Sequence, residues 1–249
     1  MKDLRLAVVI MAAGKGTRMK DPDMAKVMYP INGKPMIEHV VNLADKLQAS
    51  IIVVIVGWQK ESVMAYLESL GSRAICVTQE PQHGTGHAVM QAEPPLHDFE
   101  GDVLILSGDV PLLSYTTARR LIDTHRASNA DVTVLTAIPE DPTGYGRILR
   151  GSVGEVIGIV EHKDAAAEQR LIPEINSGIY VFDKVKLFEA LKRINPDNLQ
   201  KEYYLTDTLA FFWVKKWLVR GTVAPDSVEV QGINTLEQLE GARSLMDGR

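Results

Sequence analysis

Apolar segments that show no polar alternation recur along the first half of the chain and predict the strands of a parallel sheet. The clearest is LAVVIM at residues 6–11, because a strand covered on both faces has no side that must stay polar. Segments with helical spacing separate these runs, which is typical of repeated strand–helix–strand units. The predicted strands are 5–11, 50–56, 73–78, 103–107 and 131–138, and the predicted helices are 35–47, 60–70, 86–92 and 116–128. Gly71 is suited to end the second helix.

The pattern changes after Pro142. Two short segments separated by glycines predict a hairpin, at 146–150 and 155–161. The remaining predicted elements are a strand at 175–182, helices at 184–194 and 206–219, a short strand at 228–233 and a final helix from Thr235. The sequence contains no internal repeat and no long linker. We therefore expect one α/β domain over 1–249, with a mostly parallel central sheet flanked by helices and a smaller second lobe.

The loop after the first predicted strand is suited to holding phosphates. It reads MAAGKGTRM, and we expect Gly14 and Gly16 to allow positive φ and close approach of an anion to the backbone. Arg18 can grip phosphate oxygens with two N–H groups, while Lys15 and Lys26 can act as point charges. The loop matches neither G-x-x-x-x-G-K-[ST] nor G-x-G-x-x-G. Such a glycine pair also occurs in ordinary strand–helix turns, but the basic residues favour phosphate binding.

Composition and charge exclude several classes of protein. The chain has 249 residues, 45% of them hydrophobic, which suits a packed core, and its net charge of -5 argues against a general nucleic-acid binder. The apolar runs, 51–56 among them, are too short to cross a bilayer, and the N-terminus lacks a signal-peptide pattern. We therefore expect a cytoplasmic protein with no membrane partner. Cys76 has no second cysteine to pair with and is expected to be buried.

Two further loops follow predicted strands, where ligands bind in open parallel sheets. Residues 79–87, QEPQHGTGH, combine glutamine amides, which can read a pyrimidine edge, with glycines that admit a base. Either glutamine alone could equally be a solvated loop residue. His83 and His87 have zinc-like spacing, but the sequence offers no clear third ligand. Asp109 could bind Mg²⁺ together with substrate phosphates, or could cap a turn.

Eight motifs occur in the order seen in sugar-1-phosphate nucleotidyltransferases. They are MAAGKGTRM (11–19) with Lys26, Gln79 with 82–87, GDVPL (108–112), YGRI (145–148), VEHKD (160–164), EINSG (174–178), EYYLTD (202–207) and GIN (232–234). The sequence most strongly resembles the uridyltransferase domains of the bacterial bifunctional N-acetylglucosamine-1-phosphate uridyltransferase/glucosamine-1-phosphate acetyltransferases. The resemblance covers nearly the whole chain.

The resemblance implies a Rossmann-like nucleotidyltransferase fold, with a nucleotide-binding half over about 1–138 and a sugar-binding, metal-completing half over about 139–249. It implies that UTP and a sugar 1-phosphate, with N-acetylglucosamine 1-phosphate as the first candidate, give a UDP-sugar and pyrophosphate. The site residues that it implies are Ala13 and Gly14 at the nucleotide, Arg18 and Lys26 as catalytic residues on phosphates, Gln79, Gln82, Gly84 and Thr85 around uracil, Asp109 and Asn234 at Mg²⁺, and Gly144, Glu161 and Asn176 at the sugar.

The implied reaction needs no protein nucleophile, because the sugar phosphate attacks the α-phosphorus directly. Positioning and charge neutralisation would then carry catalysis. Alternatives are another sugar 1-phosphate, another nucleotide such as CTP or dTTP, or a catalytically weak nucleotide-sugar-binding protein. Without the resemblance, Glu161 and Asn176 would be interpreted as a surface carboxylate on a hairpin and a turn asparagine.

Three features depart from the family pattern. Ala25 stands where proline usually precedes the lysine, after a loop that is one residue longer, and Ser107 replaces a frequent tyrosine. The sequence to Arg249 contains no hexapeptide repeats, so acetyl transfer is not expected. The aromatic residues of the predicted helix 206–219 favour a core helix over an oligomer interface, although a homo-oligomer stays open.

Overall fold

The computed structural model describes residues 5–19, 21 and 23–247, so residues 20 and 22 of the loop before Lys26 lie outside the described part. The strands are β1 Leu6–Ala12, β2 Pro30–Ile31, β3 Lys34–Pro35, β4 Ile51–Val56, β5 Ile75–Thr78, β6 Asp102–Ser107, β7 Val132–Ala137, β8 Arg147–Arg150, β9 Val156–Val160, β10 Ile175–Asp183 and β11 Val219–Val223. The α-helices are α1 Met36–Lys46, α2 Lys60–Ser69, α3 Thr85–Met90, α4 Tyr115–Ala127, α5 Ala167–Arg170, α6 Lys184–Leu191, α7 Thr208–Val214 and α8 Leu236–Asp247. Short 3₁₀ turns cover Thr17–Met19, Lys26–Met28, Leu205–Asp207 and Ser227–Val230.

The central sheet is mostly parallel, as the sequence predicts. Its strand order is β11-β7-β10-β6-β1-β4-β5, with the β8–β9 hairpin attached through β10. Only β10 runs antiparallel to its neighbours along this path, β6 and β7. The other neighbouring pairs on the path are parallel. The strands β1, β4, β5 and β6 therefore point their carboxyl ends to the same edge, which is where ligands bind in such sheets.

Successive residues of β1 pack into two apolar clusters on opposite faces of the sheet. Val8 and Ile10 belong to the cluster that includes residues of α1, α2 and α4, whereas Ala7 and Val9 belong to the cluster that includes residues of α3, α6 and α7. This explains why β1 has no polar alternation, because helices cover both of its faces. Each fully buried valine or isoleucine side chain of this strand stabilises the fold by about 1.5–3 kcal/mol relative to its exposed state.

The prediction is wrong in two places near the C-terminus. The predicted helix 206–219 is a 3₁₀ turn followed by the short α7, and Lys216 then takes a left-handed φ of 56° that ends the helical path. The chain continues as β11, which pairs with β7 and completes the sheet edge. The predicted strand at 228–233 is also wrong, since a 3₁₀ turn covers Ser227–Val230. At β11, pairing with β7 has overridden the helix that the apolar pattern of 206–219 predicts, and the valines and threonine of this segment suit a strand.

The aromatic side chains of α7 are only partly in the core. Phe212 is fully buried and packs edge-on against Trp217, with ring centroids 5.0 Å apart. Trp213 is 39% exposed, and its indole N–H donates to the Val156 carbonyl at 3.0 Å. The favoured interpretation as a core helix therefore holds for one face of α7.

Two smaller expectations have different outcomes. Gly71 follows α2 with a φ of +64°, as expected of a residue that ends a helix. Cys76 is half-buried rather than buried, because β5 is the edge strand of the sheet. Burial nevertheless raises the pKa of the Cys76 thiol. No helix of the described residues is both long and apolar enough to cross a membrane.

Candidate functional site

A cleft of about 980 Å³ lies at the carboxyl edge of the sheet. Its walls come from the loops that follow β1, β4 and β5, and from Ser107 and Asp109 at the end of β6. The three predicted ligand-binding segments therefore meet in one place, as the parallel arrangement of the strands requires. The loop after β4, which contains Gly57 and Trp58, is a further wall that the sequence analysis did not identify.

The two glycines of the first loop have different roles. Gly16 takes a left-handed φ of +60°, and a Cβ there would lie 2.6 Å from the Cβ of Lys26, so any side chain would push the lysine away. Gly14 has no left-handed φ, so the expectation of positive φ at Gly14 is wrong. A Cβ at Gly14 would meet no atom within 4 Å, which leaves open space beside the cleft wall.

Four of the predicted site residues form a charged cluster, defined here as Arg18, Lys26, Asp109 and Asn234. The Lys26 ammonium forms an ion pair with Asp109 Oδ2 and also donates to Asn234 Oδ1 at 3.0 Å. Arg18 Nη2 donates to the same Asn234 oxygen at 3.0 Å. Residues up to 216 positions apart thus converge on two oxygen atoms.

The start of α8 holds Asn234 in place. The Gln238 side-chain oxygen accepts hydrogen bonds from the backbone N–H groups of Asn234 and Thr235, at 2.7 and 3.1 Å. The Thr235 hydroxyl accepts from the Gln238 N–H at 3.2 Å, so the two residues form a reciprocal helix cap. The N–H of Ile233 donates to the Asp109 carbonyl at 2.9 Å and fixes the two segments together. Gln238 is not among the residues predicted from the sequence, although the T-x-x-Q pattern before α8 is a capping signal.

Asp109 is ionised because its neighbours outweigh its burial. Burial pushes the pKa of Asp109 up, but the charge and hydrogen bond of Lys26 and the hydroxyl of Ser107, 2.6 Å from Oδ1, bring that pKa below its usual value. An ionised carboxylate beside an amide oxygen is a donor set that suits Mg²⁺ when phosphate oxygens complete it. Among the described residues, no group of three or more His, Cys, Asp and Glu could hold a metal.

The glutamine loop is held largely by its own contacts. Gln79 is buried, and its amide nitrogen donates to the Gly84 carbonyl at 2.9 Å and lies 3.2 Å from His87 Nδ1. The side-chain nitrogen of Gln82 lies against Gly57, where a Cβ would be only 2.7 Å from it. Gly57 is therefore a second glycine that close packing in the cleft requires. The only sign of it in the sequence is its place directly after the apolar run of β4.

The same loop is bonded to residues 203–205 of the second half. The Tyr203 N–H donates to the His83 carbonyl at 2.8 Å, and the Gly86 N–H donates to the Tyr203 carbonyl at 2.7 Å. The Thr85 hydroxyl accepts from the Leu205 N–H at 3.0 Å. A Cβ on Gly84, which has a φ of +98°, would lie 2.7 Å from the Tyr203 carbonyl. Close backbone contact between the two halves therefore depends on Gly84.

The three residues predicted at the sugar, Gly144, Glu161 and Asn176, are called the sugar-side group. Glu161 and Asn176 lie on either side of Gly146: the Asn176 N–H donates to the Gly146 carbonyl at 2.9 Å, and a Cβ on Gly146 would lie 3.3 Å from a Glu161 carboxylate oxygen. Gly144 has a φ of +86° and no atom within 4 Å of a Cβ position. None of the three is among the residues that line the cleft.

Internal hydrogen bonds already engage this group. Asn176 Oδ1 accepts from the Tyr180 hydroxyl at 2.8 Å and from the Gly178 N–H at 3.0 Å, and Asn176 is buried in β10 rather than in a turn. Thr206 donates to Glu161 at 2.9 Å. Burial raises the pKa of the half-buried Glu161 despite that bond, and nearby carboxylates such as Asp207 add to the rise.

Comparison with known proteins supports the motif-based resemblance. Residues 8–178 match the family described as the MobA-like NTP transferase domain. The chain is 46% identical over 245 residues to the bifunctional protein GlmU of Brevibacillus brevis, covering 98% of this chain and 52% of that protein. It is also 46% identical over 244 residues to GlmU of Synechococcus sp., covering 98% and 53%. The chain thus spans about half the length of the curated relatives it matches.

Solved structures share the fold. A UDP-glucose pyrophosphorylase complexed with UDP-glucose has a TM-score of 0.78 at 19% identity, covering 99% of this chain and 100% of that one. A putative glucose-1-phosphate thymidylyltransferase from Bacillus anthracis has a TM-score of 0.75 at 20% identity, covering 96% and 94%. The predicted Rossmann-like nucleotidyltransferase fold is confirmed. The family match over residues 8–178, together with this fold, shows that the chain belongs to the MobA-like NTP transferase domain family.

Proposed function

We propose that the protein joins UTP to a sugar 1-phosphate, with N-acetylglucosamine 1-phosphate as the first candidate, and releases pyrophosphate. The observation that carries this proposal is the charged cluster, two of whose members, Lys26 and Asp109, line the cleft. Two cationic side chains, one carboxylate and one amide oxygen meet there beside a glycine loop with open space. This combination suits a polyphosphate and its metal ion rather than a neutral ligand. The similarity to proteins named GlmU supports the choice of sugar and nucleotide.

The proposed reaction is a direct displacement. An oxygen of the sugar phosphate forms a bond to the α-phosphorus of UTP, and the bond between that phosphorus and the bridging oxygen to the β-phosphate breaks. The electron pair leaves with pyrophosphate. Arg18 and Lys26 would neutralise the negative charge that grows on the leaving group, which is the main protein contribution in phosphoryl-type transfers.

The oxygen atoms of the charged cluster would also form the metal site. Asp109 and Asn234 would hold Mg²⁺, which when bound supplies charge neutralisation to the phosphates. Gln79, Gln82, Gly84 and Thr85 would surround uracil, and Ala13 and Gly14 would hold the nucleotide through their own backbone groups. Ser107, which stands where relatives often have tyrosine, donates to Asp109, so in this chain the position serves the carboxylate. The sugar-side group would bind the sugar.

A matrix assay tests the proposal. Pyrophosphate release is measured for UTP, CTP and dTTP, each with several sugar 1-phosphates, with and without Mg²⁺. We expect release with UTP and N-acetylglucosamine 1-phosphate only when Mg²⁺ is present. The Arg18→Ala variant serves as the low-activity control. If pyrophosphate is released only with another nucleotide and sugar 1-phosphate, that pair would be the substrates instead. If no pair gives pyrophosphate, a nucleotide-sugar-binding protein is favoured. A cytoplasmic location and a homo-oligomer stay predictions.

A further inference from the structure

Lys26 contacts the two oxygen atoms that are assigned to the metal. Its ammonium pairs with Asp109 Oδ2 and donates to Asn234 Oδ1 at 3.0 Å. The pair is well shielded, since only 13% of the lysine side chain and 16% of the aspartate side chain are exposed. A shielded carboxylate requires a cation, because an unpaired charge away from water is costly. Lys26 supplies that cation within the chain itself.

The lysine and a metal ion cannot hold these oxygens together. Mg²⁺ binds its oxygen ligands at about 2.1 Å, so an ion on Asp109 Oδ2 and Asn234 Oδ1 would lie against the ammonium that already contacts both atoms. The two positive charges would repel strongly at such a separation in a shielded site. We infer that Lys26 is a built-in competitor of the metal, which holds the metal ligands in the nucleotide-free protein and must withdraw before a divalent cation can bind.

The structure limits how the lysine can withdraw. The Cβ, Cγ and Cδ atoms of Lys26 lie tightly against Gly16, where an added Cβ would lie 2.6 Å from the Cβ of Lys26, so the near end of the lysine side chain is fixed. Lys26 is one of the residues that line the cleft, so its ammonium can turn into the cleft. Under the proposed function, on which this step rests, the nucleotide phosphates lie in the cleft and offer the ammonium new anionic partners. Nucleotide and metal would then promote each other's binding through Lys26, and the coupling would be reciprocal.

Lys15 provides a matched control for Lys26. It lines the same cleft and carries the same charge, but its ammonium lies over the Trp58 ring, 5.3 Å from the ring centroid. Removal of either lysine makes the cleft one charge more negative. Only removal of Lys26 also takes the ammonium away from Asp109 Oδ2 and leaves Asn234 Oδ1 with Arg18 as its remaining donor in the charged cluster. A comparison of Lys26→Met with Lys15→Met therefore separates competition for the oxygen atoms of Asp109 and Asn234 from the effect of the net charge of the cleft.

The experiment measures Mn²⁺ binding to the nucleotide-free protein, by the loss of the free-ion electron paramagnetic resonance signal. We expect Lys26→Met to bind Mn²⁺ about tenfold or more tightly than the original chain, and Lys15→Met to change the affinity by a smaller factor. Lys26→Gln, which keeps a hydrogen-bond donor near Asp109, serves as a second variant if Lys26→Met folds poorly. Asp109→Asn combined with Lys26→Met should lose the gain. UTP should tighten Mn²⁺ binding more in the original chain than in Lys26→Met.

The outcomes separate this inference from the proposed function. Equal or weaker Mn²⁺ binding in both Lys26 variants, or an equal gain in Lys15→Met, would overturn the competition. Pyrophosphate release by the original chain is a separate readout, so an active enzyme with no gain in Mn²⁺ affinity refutes only the role of Lys26. A clear gain in a chain that releases no pyrophosphate refutes only the reaction.

Discussion

The charged cluster and the sugar-side group hold their polar atoms in opposite ways. In the charged cluster, side chains from the loops after β1 and β6 and from the segment before α8 bond to one another, and two of them, Lys26 and Asp109, line the cleft, where a ligand could replace these contacts. In the sugar-side group, Asn176 and Glu161 bond to uncharged neighbours within the fold. A bound ligand could replace the contacts within the charged cluster, whereas the hydrogen bonds of the sugar-side group belong to the fold itself. We therefore expect variants of the first to change catalysis and metal binding, and variants of the second to change affinity and stability.

The largest expected effect lies in the charged cluster. Arg18→Ala should lower turnover by about 10²-fold or more, because it removes a donor to charge that develops in the transition state. Steady-state kinetics with UTP and the sugar phosphate measure this. Arg119→Ala on α4, which removes an exposed arginine paired with Asp123, is the matched control and should leave turnover near its original value. Unchanged kinetics in Arg18→Ala would refute the assignment of Arg18.

The next effect concerns the support of Asn234. Gln238→Ala should weaken metal affinity by about tenfold or more, because it removes the acceptor that fixes the Asn234 and Thr235 backbone. Gln238→Glu keeps an acceptor at the helix start and should retain the affinity. Mn²⁺ titration of both variants in the presence of UTP tests this. Equal losses in the two variants would indicate a general packing defect instead.

A smaller effect is expected on the sugar side. Tyr180→Phe removes the hydroxyl that donates to Asn176, which should reduce stability by about 1 kcal/mol. It should also raise the KM for the sugar phosphate several-fold while the KM for UTP stays constant. Tyr66→Phe, which removes a hydroxyl bonded to Glu38 elsewhere in the fold, is the control. A change in the KM for UTP as large as that for the sugar would contradict the separation of the two regions.

The smallest effect is a pH dependence of stability. Burial, with the nearby Asp164, raises the pKa of Asp207 from 3.8 to about 6. Because the folded pKa is the higher one, this group favours folding most at low pH, and the benefit is lost as pH rises through about 6. Asp207→Asn should therefore stabilise the protein at pH 8, and the gain should shrink between about 6 and 3.8. Urea unfolding at several pH values measures it, with the exposed Asp98→Asn as baseline. A gain that is constant with pH would exclude this explanation.

The sequence predicts most of the fold, because strands that are buried on both faces of the sheet consist of unbroken apolar runs. The unbroken apolar runs of β1, β4 and β6 give these strands directly. The start of β11 is hard to recognise, because only Lys215 and Lys216 separate the apolar residues of α7 from the apolar segment that begins at Trp217, and a helix can also carry such a pair on its exposed face. Only the left-handed turn at Lys216 separates the two elements, and a lysine carries no local signal for that conformation.

The site also contains residues that local sequence patterns predict and contacts that they do not predict. Asp109 and the first loop can be predicted, since both follow buried strands and strand ends converge. The contact between Lys26 and Asn234 spans 208 positions and depends on the path of the whole chain, so no local pattern predicts it. The family resemblance implies Asn234 as a metal ligand and Lys26 at the phosphates, but it does not imply that the lysine contacts the asparagine. Gly57 is likewise found only through the atoms that surround it.

The backbone bonds between residues 83–86 and 203–205 limit how the specificity of this protein can be redesigned. The loop that is assigned to the base shares main-chain hydrogen bonds with the segment beside Thr206, which in turn bonds Glu161. A substitution that shifts the first segment to admit a larger base must therefore also displace the second. Libraries that diversify nucleotide choice should vary both segments jointly while keeping Gly84 and Gly86, and screens that vary one segment should return clones altered in sugar choice as well.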